Sequence, residues 1–177
     1  MEEITDSGYA VARVSYQDIA PDQGDGYTNG PGVLFPGNAF DGWGKLAVWA
    51  WSASRIMDYL VDLEEIDGKR IAVAGHSRLG KAALLCGAMD DRFSMVISND
   101  SGAGGISLFR GKEGENVADL CRNFPYWFCG NLEKYAGGET KLPFDQHFLA
   151  ALVAPRKLYA ASAVDDQWAC LLYTSPS

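Results

Sequence analysis

Apolar residues between positions 43 and 63 recur at three- and four-residue steps: Leu46, Trp49, Ala50, Ala53, Ile56, Met57, Leu60 and Leu63. That period predicts a helix from Trp43 to Leu63 with one buried face, and it makes Trp49 and its neighbours core residues. Elsewhere the apolar runs are short. Arg70 to Ala74, Phe93 to Ser98 and Lys157 to Ser162 read as strands, and Gly8 to Tyr16 reads as a further strand with partial alternation. Lys81 to Met89 is rich in alanine and leucine and reads as a helix, and Phe148 to Val153 as a short one. Asp18 to Gly44 is dense in Gly, Pro, Asp and Asn and predicts a long loop. Residues 106–141 form a less regular, aromatic excursion. Strands alternating with helices predict an α/β fold around a largely parallel sheet.

The junction at residues 70–86 carries the candidate chemistry. A short strand turns into a helix, and Gly75 and Gly80 bracket Ser77 at the turn. Such a turn presents one side chain at the C-terminal edge of a sheet, and the helix behind it aims backbone N–H groups at whatever that side chain attacks. Ser77 is thus the candidate nucleophile. The usual hydrolase pattern is G-x-S-x-G. Here the second glycine falls one place later, in Gly75-His76-Ser77-Arg78-Leu79-Gly80-Lys81.

A chain of 177 residues with 47% hydrophobic content is long enough for one domain with a real core. A net charge of -8 excludes nucleic acid and an anionic membrane surface as natural partners. No apolar run has membrane length, and no leader-like segment opens the chain. Cys86 is expected to be a small buried residue, Cys121 and Cys129 could pair, and no metal-ligand spacing is present.

A serine nucleophile needs a base and an acid behind it. The chain has two histidines, His76 and His147. His76 is adjacent to Ser77 and should point away from it, as a packed or hydrogen-bonded residue. His147 is then the expected base. Two acids are candidates: Asp100, at the end of the strand after the nucleophile unit, and Asp166 (or Asp165), after the next strand.

These residues resemble a family. Gly75-x-Ser77-Arg78-x-Gly80-Lys81 looks like the G-x-S-R-x-G-K motif of the glucuronoyl esterases, carbohydrate esterase family 15, and this accounts for the displaced glycine. Three further stretches agree in order: residues 99–105 (Asn-Asp-Ser-Gly-Ala-Gly-Gly), Phe124-Pro-Tyr-Trp127-Phe, and Pro143-Phe-Asp-Gln-His147 with Ala154-Pro-Arg156. The likeness covers roughly residues 8–169 and is greatest to the bacterial branch. It implies an α/β-hydrolase-like three-layer αβα sandwich with a mainly parallel sheet, here incomplete, over residues 1–169. It also implies cleavage of esters between 4-O-methyl-glucuronic acid on xylan and lignin alcohols, without metal or organic cofactor. By matching position, Ser77 is the nucleophile, His147 the base and Arg78 the oxyanion stabiliser. Lys81, Glu115 and Trp127 would contact the sugar. Where fungal members carry a glutamate this chain has Asp100, one methylene shorter, so Asp100 and Asp166 both remain open as the acid.

Three further expectations concern setting. The tail 170–177 continues no earlier pattern and resembles read-through of a sequencing adapter. A chain that opens in mid-sheet implies missing N-terminal strands. The family usually acts outside the cytoplasm, as secreted or periplasmic enzymes. Two rival readings stand beside the main one: a carbohydrate esterase removing acetyl groups from xylan, and a non-catalytic carbohydrate-binding hydrolase fragment.

Overall fold

The computed structural model describes residues 2–25, 27–34, 41–111, 114–163, 165–166 and 168–169. In chain order the helices are α1 (Glu2–Asp6), α2 (Tyr16–Ile19), α3 (Lys45–Leu60), α4 (Arg78–Met89), α5 (Val117–Asn123) and α6 (Gln146–Ala151). Three strands, β1 (Ala72–His76), β2 (Met95–Asn99) and β3 (Lys157–Ala161), lie side by side in that order and are all parallel. Parallel neighbours require crossovers. α4 makes the first, between β1 and β2. The second runs through α5 and α6.

Register decides which residues form the core. Val73 pairs with Val96 and Val96 with Leu158, so the three stand on one face of the sheet. Against that face pack Leu84 of α4 and Val153 just after α6, both fully buried, with Leu149 beside them. Removing the Leu84 side chain to the β-carbon should cost about 2–5 kcal/mol through lost burial and the cavity left behind. α3 lies against α4, and Ala50 and Met57 meet Cys86, Ile71 and Phe93. Its N-terminal half, with Leu46, Val48 and Trp49, joins Ala103, Phe109 and Trp127 in a second cluster. α4 is therefore the hub that fixes the position of Ser77, the residue immediately before it. Cys86 sits in this core as expected, and burial, with the charge of Asp90, pushes its thiol up to about 12. Cys121 and Cys129 are free thiols.

The opposite face of the sheet is open at Ala72, Ala74 and Tyr159. The described residues thus form two layers of the expected three-layer sandwich. The expected strand at 8–16 is a correction. Residues 8–15 carry no regular structure, Tyr16 begins a single helical turn, and Tyr9, Val11 and Val14 are exposed. Alternation makes a strand only where a neighbour takes up its ladder hydrogen bonds, and none of the three strands borders this segment. Other boundaries shift slightly: β1 runs on to His76, and α6 begins at Gln146, which places His147 in its first turn. The tail 170–177 lies outside the described residues. Among the described residues no helix is long and apolar enough to cross a membrane.

Candidate active site

β1 ends at His76, α4 begins at Arg78, and Ser77 between them has φ 55° and ψ −124°. A serine in that region of backbone space is strained, at a cost of about 1–3 kcal/mol, and stays there only because its surroundings over-determine it. Its N–H donates to Asn99 O at 2.9 Å, and its carbonyl accepts from Lys81 N at 3.1 Å. The two glycines permit the close approach. A β-carbon on Gly75 would lie 2.0 Å from the Leu79 carbonyl oxygen, and one on Gly80 would lie 2.8 Å from that of Asn99. The later position of the second glycine follows: it is the residue of the first α4 turn that abuts the end of β2. His76, exposed at the last position of β1, has Nδ1 3.0 Å from Asn99 Nδ2, as a hydrogen-bonded histidine should.

Six residues expected from sequence line one cavity of about 70 Å³: Ser77, Arg78, Lys81, Asp100, Glu115 and Trp127. Ser101, Phe124, Trp168 and Ala169 complete its wall. Lys81 and Glu115 are buried and paired at 2.8 Å. The Lys81 ammonium also donates to Ser101 O at 2.8 Å and Ala103 O at 2.5 Å. The second oxygen of Glu115 accepts from Trp168 Nε1 at 3.1 Å. Arg78 pairs through Nη1 with Asp22, and its guanidinium lies over Trp127 (5.0 Å) and Phe124 (5.7 Å). Those two rings are stacked, with centroids 3.7 Å apart.

Asp100 also has a positive φ, 50°, and its Oδ1 accepts from Ser162 Oγ at 3.0 Å and Ala163 N at 3.4 Å. Asp166 does not line the cavity. Its Oδ1 accepts from the backbone N–H groups of Trp168 and Ala169 at 2.8 and 3.0 Å, which fixes the turn that brings Trp168 to the wall. His147 does not line the cavity with Ser77. It is exposed in the first turn of α6, and its ring packs on Phe148 with centroids 4.6 Å apart. The buried member of that motif is Asp145, which accepts from Phe109 N (2.8 Å), Arg110 N (3.0 Å) and Gln146 N (2.7 Å). The motif thus anchors the excursion after β2 to the start of α6.

Sequence reasoning missed Asp22 and Trp168. Asp22 lies in the expected 18–44 loop, where composition gives no sign of which acid turns inward. Trp168 follows a strand end, where an aromatic beside Asp166 was a usable signal. Lys45 was missed too. It is fully buried, pairs with Asp25 at 2.8 Å, and sits 5.8 Å from the Tyr27 and Tyr126 ring centroids. Burial would raise the Asp25 carboxyl, but hydrogen bonds from Lys45, Asn29 and the Tyr27 N–H hold it below its ordinary value. Burial, then the Asp25 charge, pushes the Tyr27 hydroxyl up to about 12. Among the described residues no group of three or more His, Cys, Asp and Glu side chains could hold a metal ion.

A strained serine between a parallel strand and its crossover helix, at the C-terminal sheet edge, defines an α/β-hydrolase. The chain belongs to the glucuronyl esterase family, whose fungal family model ("Glucuronyl esterase, fungi") matches residues 1–174. It is 41% identical to the carbohydrate esterase MZ0003 of an unknown prokaryotic organism, over 96% of this chain and 40% of that protein. It is 37% identical to a 4-O-methyl-glucuronoyl methylesterase of Podospora anserina, over 92% of this chain and 36% of that one. The solved glucuronoyl esterase of Solibacter usitatus superposes with a TM-score of 0.89 at 44% identity, covering 98% of this chain and 45% of its own. The chain therefore spans less than half the length of these relatives.

Proposed function

We propose that this chain carries the nucleophile-bearing core of a serine esterase that cleaves 4-O-methyl-glucuronoyl esters joining xylan to lignin alcohols. The observation that carries the reading is the strained Ser77 facing a cavity walled by Arg78 and Lys81, with the carboxylates of Asp100 and Glu115 beside them. In this reading Ser77 Oγ attacks the uronate ester carbonyl, a C–O bond forms, and the carbonyl oxygen takes up negative charge. Arg78 and the unpartnered N–H groups at the start of α4 receive that charge. Collapse of the adduct breaks the C–O bond to the alcohol, which leaves with the proton given up by Ser77 Oγ, and water then cleaves the acyl–Ser77 ester, restoring the hydroxyl and releasing the uronate. Glu115 has lone pairs left for sugar hydroxyls. Lys81 has donated its ammonium protons to Glu115 and two carbonyls, so it acts on the sugar by holding Glu115. The methylesterase named among the relatives supports the substrate class.

Ser77 Oγ requires a proton acceptor, and an imidazole between Ser77 and Asp100 would complete the relay. Neither imidazole of this chain lines the cavity. That observation favours a second reading, in which the chain binds uronate esters without turning them over. Labelling by a serine-directed fluorophosphonate separates the two. The esterase reading predicts a stoichiometric adduct that Ser77→Ala abolishes. A chain that binds glucuronate esters and never labels belongs to the second reading. A rate on aryl acetate equal to that on benzyl glucuronate would instead support acetyl-group removal, which has no need of the paired cations.

A further inference from the structure

We infer that Asp22 is the positioning residue of this site, fixing the Arg78 guanidinium and the Trp127 indole in a single arrangement. The inference rests on the reading of Arg78 as the group that receives the oxyanion charge. One Asp22 oxygen pairs with Arg78 Nη1, and the other accepts from Trp127 Nε1 at 2.7 Å. The Asp22 side chain is 6% exposed, so solvent and salt screen both bonds weakly.

The segment that carries Asp22 is itself held. Its N–H donates to Gln17 Oε1 at 3.1 Å, and its carbonyl accepts from Tyr126 Oη at 3.1 Å. Two residues earlier, the Ala20 carbonyl accepts from Trp49 Nε1 at 2.9 Å. Lys45 donates to the Pro21 carbonyl and pairs with Asp25. The segment is therefore tied to α3 on one side and to residues 126–127 on the other. Nothing in the packing of a solvated connection calls for so many bonds. They make sense if the position of the Asp22 carboxylate matters.

The physical consequence concerns reorganisation. An arginine has a long, rotamer-rich side chain, and an unpinned guanidinium must be ordered as charge develops. One pinned in advance needs no such ordering, and this is the condition under which a fixed cation lowers a barrier most. Asp22 also offsets part of the positive charge. That opposing effect is the smaller one here, because the guanidinium has five N–H donors and gives one to Asp22. Asp22 also holds the stacked wall on which Arg78 rests, through Trp127.

The test is steady-state hydrolysis of benzyl glucuronate by Asp22→Ala, Asp22→Asn, Arg78→Ala and the Asp22→Ala/Arg78→Ala double variant. Asp22→Ala is expected to lower kcat about 10- to 100-fold with KM within about threefold. In the Arg78→Ala background the same change should lower kcat by no more than about twofold, because Asp22 acts through Arg78. Asp22→Asn keeps the shape and the indole acceptor but loses the charge, and should fall between wild type and Asp22→Ala; it carries the test if Asp22→Ala fails to fold. A purely structural role would lower thermal stability equally in both backgrounds without that coupling. Full kcat in Asp22→Asn or Asp22→Ala, or losses that multiply in the double variant, would overturn the assignment. Full kcat in Arg78→Ala alone would instead remove the oxyanion reading beneath it.

Discussion

Two clusters of the same composition flank Ser77. In each, one carboxylate holds one cation and one indole: Glu115 with Lys81 and Trp168, and Asp22 with Arg78 and Trp127. They differ in burial. The Lys81 and Glu115 side chains are each 4% exposed, whereas Arg78 is 34% exposed and its partner Asp22 6%. The buried ammonium has its protons committed to Glu115 and two carbonyls, so it has little left to offer a substrate. The guanidinium, bound to Asp22 through one nitrogen, lines the cavity and has further N–H donors. The Lys81 cation is therefore committed inside the protein, while the Arg78 cation is the more exposed of the two.

The largest effect should fall on the buried pair. Lys81→Ala or Glu115→Ala strands a buried charge and should cost about 3–5 kcal/mol of unfolding free energy in denaturant titrations. Lys81→Met with Glu115→Leu, which removes both charges, should recover most of that loss. Recovery failing in the double variant would mean that the pair stabilises through more than its charges. Arg78→Ala should show the reverse profile: a smaller stability loss than Lys81→Ala, since Arg78 itself is 34% exposed although its partner Asp22 is buried, and kcat lower by about 10²- to 10³-fold. A stability loss matching that of Lys81→Ala would erase the contrast.

A third ionic cluster, at the far end of α4, calibrates both. Asp90 accepts from Arg92 and Ser54, and Arg92 also pairs with Asp58 at 2.8 Å. The Arg92 hydrogen bonds outweigh the opposing effect of burial and hold the Asp90 carboxyl at about 2. A folded-state value below the unfolded one adds stability that is present above about pH 4 and lost as pH falls toward 2. Discounted for the exposure of Arg92, the loss should be about 1–2 kcal/mol. It should be visible as an acid limb in the stability profile that Asp90→Asn flattens. The smallest effect should come from His147→Ala. With the ring exposed outside the cavity, rate should stay within about threefold and stability within about 0.5 kcal/mol. A thousandfold rate loss would make His147 the base.

What was legible from sequence follows from where the signals are local. The α3 stripe, the short apolar strands and the Gly75–Gly80 bracket all act within a few residues, and each became the element expected. Ser77, Arg78 and Lys81 share one turn, so their meeting was legible too. Tertiary choices were not. Alternation at 8–16 lacked a neighbour to pair with. His147 sits on a short helix whose exposed side only packing decides. Asp22 meets partners 56 and 105 residues away, and nothing in a Gly-, Pro- and Asp-rich loop marks it.

The most direct test of the central claim is hydrolysis of benzyl glucuronate by the wild-type chain and by Ser77→Ala, with folding checked by thermal melting. The elbow geometry predicts an unchanged melting profile and a kcat/KM at least about 10³-fold lower in the variant. Retention of wild-type kcat/KM by folded Ser77→Ala would contradict it.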